Sequence, residues 1–178
     1  MDICVFGSSS RNLDPLYINA TLELGRAMGA RGHGLVFGGY DMGLMGAIAQ
    51  GVQEGGGRVT GVVTEGLSAR GDRAVFPCDV VLTTPSLALR KTRMIELSQA
   101  FITLPGGIGT LDELTDVLSQ AKAGEAIKPC AIYDVAGFYS PLVQMLDEMC
   151  AKGLNNTDWR QYAGVFSDAS ELLGYLEG

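Results

Sequence analysis

The chain has 178 residues, 47% of them apolar, and its 13 basic and 20 acidic residues leave a net charge of −7. Those values suit one globular domain that buries its own core without a metal or disulfide staple. With no Lys/Arg-rich run to concentrate positive potential, nucleic acid is not an expected partner, and with no apolar run of bilayer-spanning length neither is a membrane.

The opening MDICVFGSSS enters an apolar run at once, with no basic segment before it, so no secretory or transit segment is expected. Short runs that are apolar throughout follow at Ile3–Phe6, Leu35–Phe37, Val59–Val63, Val80–Thr83, Phe101–Leu104 and Cys130–Tyr133. They read as strands buried on both faces of a parallel sheet. After the first, Asp14 and Pro15 make an N-cap and first-turn pair. Leu16, Ala20, Leu24, Ala27 and Met28 then form one helical stripe that ends near Gly29 or Gly32. Helical spacing predicts further helices over Leu44–Glu54, Ser86–Ser98, Thr110–Ala123, Gly137–Lys152 and Asp168–Leu176. Strand and helix alternate along the chain, and right-handed crossovers then dictate an α/β fold, a Rossmann-like three-layer sandwich with a mainly parallel sheet, as one domain over residues 1–178. His33, the only histidine, precedes the second strand and reads as a surface or turn residue. The four cysteines are scattered singly without CxxC spacing, which predicts free thiols in a reduced, cytoplasmic protein.

Three changeovers are rich in small residues: GSSSRN (Gly7 to Asn12), GGYDMGLMG (Gly38 to Gly46) and PGGIGT (Pro105 to Thr110). Glycines let the backbone approach a ligand, and a helix starting just afterwards aims free N–H groups and its positive dipole end at it, so such turns form phosphate cradles. Each turn alone also fits a plain strand-to-helix connection, and neither the dinucleotide pattern nor the P-loop pattern occurs at them. In the Ser86–Ser98 helix, Arg90 and Lys91 fall inside the stripe set by Leu87, Met94, Ile95 and Leu97, so two cations point inward. They need partners or a wet cleft, unless they snorkel to a nearby surface. Thr110 to Glu113 matches the capping box T-x-x-E, which makes Glu113 a cap. The alternative is a phosphate at the helix end, leaving Glu113 to face the atom beside it with Arg90 balancing the charge.

L-R-K-x-x-M (Leu89 to Met94), then S-x-A-F-I-x-L-P-G-G-x-G-T-x-x-E (Ser98 to Glu113), with F-G-G-x-x-x-G-L-M-G upstream (Phe37 to Gly46), resembles the LOG family of cytokinin riboside 5′-monophosphate phosphoribohydrolases. The similarity runs from the first strand and its GSSS turn to Lys128–Pro129 and Gly137–Tyr139. It implies hydrolysis of the N-glycosidic bond of a nucleoside 5′-monophosphate, to free base and ribose 5-phosphate, by a catalytic pair of Arg90 and Glu113. It places the phosphate in the cradle of Gly106, Gly107, Ile108, Gly109 and Thr110. Lys91 would bind substrate and Ser119 would stand near it, while Ser9, Gly39 and Gly43 are candidates from the two earlier turns. The resemblance also implies a homodimer, and the reaction needs neither metal nor cofactor. In the implied mechanism Arg90 holds Glu113 ionised against the oxocarbenium-like transition state. Tyr40, Leu87, Ile108 and Asp112 depart from the family pattern and bear on the choice of base. A non-catalytic carrier of a nucleotide or phosphorylated cofactor is the alternative on the same fold.

Overall fold

The computed structural model describes residues 1–68, 74–125 and 128–178. Among the described residues seven strands, β1 (Asp2–Phe6), β2 (Gly34–Phe37), β3 (Val59–Thr64), β4 (Val80–Thr84), β5 (Ala100–Thr103), β6 (Cys130–Tyr133) and β7 (Gly164–Phe166), form one sheet in the order β4-β3-β2-β1-β5-β6-β7. Every pairing in it is parallel. The connecting helices are α1 (Pro15–Ala30), α2 (Gly43–Glu54), the single turn α3 (Glu65–Ser68), α4 (Leu87–Leu97), α5 (Ile108–Ala123), α6 (Ser140–Ala151) and α7 (Ala169–Glu177).

The pleat of β1 divides the core. Ile3 and Val5 join Leu24 and Met28 of α1, Leu44 and Ile48 of α2 and Leu172 of α7 on one face. Cys4 and Phe6 join Met94 of α4, Leu114 and Val117 of α5 and, around α6, Trp159 and Leu142 on the other. The result is the three-layer Rossmann-like sandwich that the alternating pattern predicts. Chain order runs outward from β1 to β4 and then returns to β5 beside β1, so strand order reverses between β1 and β5. That reversal opens a crevice at the carboxyl ends of these two strands.

On the first face α1 and α2 meet backbone to backbone. A Cβ at Gly25 would lie 2.7 Å from the Ile48 carbonyl oxygen, and Cβ atoms at Gly29, Gly51 and Gly55 would likewise run into backbone of the opposite helix.

Several expected boundaries move. Asp14 caps α1 as predicted, its carboxylate accepting from the Leu16 amide at 2.8 Å, but Leu16 is half exposed and the stripe that buries begins a turn later. The helix expected from Gly137 starts at Ser140, because the backbone of Ala136 and Gly137 turns to positive φ and holds a short 3-10 turn at Val135–Gly137. Strand β7 and turn α3 were not expected; three residues and four residues are too short to show a period. His33 does sit in the turn before β2, but it is buried. Its Nε2 lies 2.8 Å from Glu177 of α7 and its Nδ1 lies 3.4 Å from the N-terminal amine. The four cysteines are free, two buried and two partly covered. Among the described residues no helix is long and apolar enough to cross a membrane.

Candidate active site

Three glycine- or serine-rich turns meet in the crevice. The Ser8 amide donates to the Pro105 carbonyl at 3.2 Å and the Leu44 amide donates to the Ser8 carbonyl at 2.9 Å, which ties the turn after β1 to those after β5 and β2. Gly43 opens α2 at φ 54° with its α-carbon against the carbonyls of Ser8 and Ser10, so no side chain fits there. Together the turns enclose a cavity of about 600 Å³.

Gly107 is the N-cap of α5 and contributes no side-chain cap. The first amides of the helix therefore keep their donors, and the positive end of its dipole faces the cavity. Gly107 and Gly109 line the space, and a Cβ at either would meet nothing within 4 Å, which leaves the backbone bare to a ligand. Since the helix starts at Ile108, Thr110 and Glu113 lie inside it and not at its cap, so the capping-box reading is incorrect. Thr110 is buried with its side chain packed over Gly106, and Glu113 projects from the second turn into the cavity.

Glu113 meets Arg90 of α4. Arg90 Nη2 lies 3.5 Å from Glu113 Oε1, and the two side chains are only 15% and 14% exposed. Gly38, at the end of β2, leaves room for the guanidinium, since a Cβ there would come within 3.2 Å of Nη1. Arg90 Nε is buried with no hydrogen-bond partner among the described residues, a donor left open at the cavity. Burial drives the Glu113 carboxyl up from its ordinary 4.5 to about 7, outweighing the downward pull of Arg90. Arg90 pulls Glu113 toward its ionised form, the direction the resemblance implies, and burial pulls harder the other way, which leaves the group where a proton moves either way.

The remaining predicted residues divide between the cavity and its supports. Ser9, Gly107, Gly109 and Thr110 line it beside the pair. Gly39 shapes the turn after β2 at φ 79° with its α-carbon against Val63, and Gly106 lies under Thr110; both are behind the wall. Ile108 is 83% exposed and points outward. Ser119 is exposed on α5, nearly two turns past Glu113 and away from the cavity. Lys91 turns from the cavity to Asp112 and Asp116 on α5, at 2.9 and 3.1 Å. Sequence reasoning missed the apolar wall of Met42, Met45 and Met94. The first two flank the glycine that starts α2, a spacing that was visible in GGYDMGLMG.

A more open hollow of about 480 Å³ runs along α6, but its charged lining residues are Asp134, Asp147 and Glu148. A lining whose charged groups are all acidic disfavours phosphate.

A family model described as "Possible lysine decarboxylase" matches residues 45–176. The chain is 36% identical over 175 residues to a cytokinin riboside 5′-monophosphate phosphoribohydrolase of Oryza sativa subsp. japonica, covering 98% of this chain and 72% of that protein. A phosphoribohydrolase of the same name from Arabidopsis thaliana is 37% identical, with 98% and 81% covered. The chain belongs to the LOG family. Solved structures with the same fold include the molybdenum cofactor binding protein from Rippkaea orientalis, with a TM-score of 0.71 at 19% identity over 99% of this chain and 94% of that one. The molybdenum cofactor carrier protein from Chlamydomonas reinhardtii matches with a TM-score of 0.71 at 20% identity, with 99% and 94% covered. At such identity these two speak to the fold alone. Among the described residues of this LOG-family chain no lysine lines the cavity, so the decarboxylation named in the family's description has no Schiff-base amine there.

Proposed function

We propose that the protein hydrolyses the N-glycosidic bond of a nucleoside 5′-monophosphate, of the AMP or cytokinin riboside monophosphate type, to the free base and ribose 5-phosphate. The observation that carries this reading is the buried Arg90–Glu113 pair, which shares one cavity with the uncapped start of α5. The amides of that helix end take the 5′-phosphate, and the binding energy so gained places the anomeric carbon beside Glu113. As the base departs, positive charge grows on the ribose. Ionised Glu113 stabilises it and orients the attacking water, taking its proton. Arg90 balances the carboxylate and offers its open Nε to the substrate. The methionine wall suits the flat apolar face of a base.

Catalysis of this kind requires no metal or redox group. The working form we propose is a cytoplasmic homodimer; Leu87 on α4, 58% exposed at the edge of the cavity, presents an apolar side chain that a second copy can cover. The test is to incubate pure protein with a panel of nucleoside monophosphates and follow release of free base by chromatography. Release from at least one of them supports hydrolysis. Tight binding of the same compounds without release by any of them would favour a carrier.

A further inference from the structure

The turn that leaves β6 is the most contorted stretch among the described residues. Ala136 is the one non-glycine residue there at positive φ, 54° with ψ 30°, and Gly137 follows at φ 73°. An alanine stays in the left-handed region only where its surroundings dictate it. Here the turn doubles the chain back over the end of β5. Asp134 Oδ1 accepts from the Tyr139 amide at 2.6 Å and fixes the loop, and the Tyr139 ring is buried in the core. The Tyr139 hydroxyl then donates to the Leu104 carbonyl at 2.7 Å.

Leu104 stands between β5 and the glycine turn. The ladder to β6 ends at Thr103 and Ile132, so the next carbonyl is buried beyond the last strand pair and takes its donor from a side chain. On its other side the Leu104 amide donates to the Phe6 carbonyl at 2.9 Å, and one residue later the Pro105 carbonyl accepts from Ser8. A planar peptide with a pinned carbonyl has one orientation, and the proline ring locks the next φ. Between the Tyr139 anchor and the bare amides at the start of α5, Gly106 is the first residue with free dihedrals, and Thr110 packs on it.

We propose that Tyr139 is a positioning residue for phosphate binding: its hydroxyl orients the Leu104–Pro105 peptide, and through it the backbone of Gly107 and Gly109 that lines the cavity. The proposal rests on the reading of that turn as the phosphate site. Burial holds the phenol far above its ordinary range, so it keeps the proton it donates across the working pH of the protein. It also gives the Gly137–Tyr139 segment, which carries part of the family resemblance, a role 35 residues along the chain from the turn it serves.

The test compares Tyr139→Phe with the unaltered protein by calorimetric titration with ribose 5-phosphate, ribose and adenine, together with steady-state kinetics on AMP. The ring is retained, so the core stays filled. The expected result is that the dissociation constant for ribose 5-phosphate rises about fivefold or more, while that for adenine is unchanged. KM for AMP rises with it, and kcat stays within about twofold. Equal weakening of adenine and ribose 5-phosphate would mean general softening and would overturn the positioning role, as would an unchanged ribose 5-phosphate affinity in a variant of normal melting temperature. If the unaltered protein binds ribose as well as ribose 5-phosphate, the phosphate reading itself fails and takes the proposal with it.

Discussion

Lys91 Nζ lies 2.9 Å from Asp112 Oδ2, one residue outside the Arg90–Glu113 contact on both α4 and α5. Two cross-helix ion pairs thus run side by side, one inside the cavity wall and one outside it. Although partial burial pulls the Lys91 ammonium down, Asp112 and Asp116 hold its pKa above the ordinary lysine range, so the charge is fixed. After burial and Arg90, the outer pair acts on Glu113 with opposite signs: Asp112 pushes the carboxyl up and Lys91 pulls it down. With ionised Glu113 as the active form, kcat/KM rises with pH through about 7. Asp112→Asn should move that limb to lower pH and Lys91→Met should move it to higher pH, each by roughly half a unit. Shifts in the same direction in a pH–rate profile would remove the tuning role.

Glu113→Gln should lower base release from AMP by about 10²- to 10⁴-fold, since the amide keeps the shape and loses the charge. It should also stabilise the protein, in a pH-dependent way. A carboxyl raised from 4.5 to about 7 by folding favours the folded state when protonated, and that advantage is fully present below 4.5 and lost as pH rises through 7. Ionised Glu113 therefore costs on the order of 3 kcal/mol in alkaline solution. Melting curves at pH 5 and pH 8.5 should show the variant's gain widening with pH; a constant gap would place Glu113 in a more solvated site.

Dependence on the 5′-phosphate follows from the uncapped start of α5. Turnover of AMP should exceed that of adenosine by at least about tenfold, equivalent to about 1.4 kcal/mol. Gly109→Ala puts a methyl into the open space at that helix end without meeting any protein atom. Its KM for AMP should rise while its melting temperature holds or increases, because alanine is the better helix former. Equal rates on AMP and adenosine would rule out the cradle.

Light scattering at micromolar concentration should give about twice the 18.8 kDa chain mass. Full activity at a mass near 19 kDa would show that one chain completes the site, and Leu87→Ser should drive any dimer toward that mass.

Much of this architecture was written locally in the chain. Strands covered on both faces, such as Ile102 with its neighbours, need no alternation to be recognised, and Asp14-Pro15 announces its helix by capping chemistry alone. Edge strand β7 escaped because GVF is short and half covered. Within the site, Arg90 betrayed itself as a cation inside an apolar stripe. Lys91 showed the same signal for another reason: its partners lie on α5, 21 and 25 residues away, and helix periodicity carries no such distance. Thr110 and Glu113 satisfied the capping pattern perfectly well on paper. What decided the register was Gly107, whose backbone takes the cap position three residues earlier than the threonine would. The turn position of His33 was legible, but its burial was not, because its partner Glu177 belongs to the far end of the chain.

The glycine seam between α1 and α2 leaves no layer of side chains to cushion a change. Helix α2 is a stiff rod seated directly on another rod, and its near end carries Met42 and Met45 into the cavity wall. Gly51 sits six residues from Met45, about 9 Å along the axis. A single methyl there would tip the rod and shift that wall without touching a ligand. Which bases the cavity admits can thus drift through exchanges on the opposite side of the sheet from Arg90 and Glu113, where no inspection of the pocket would look for them.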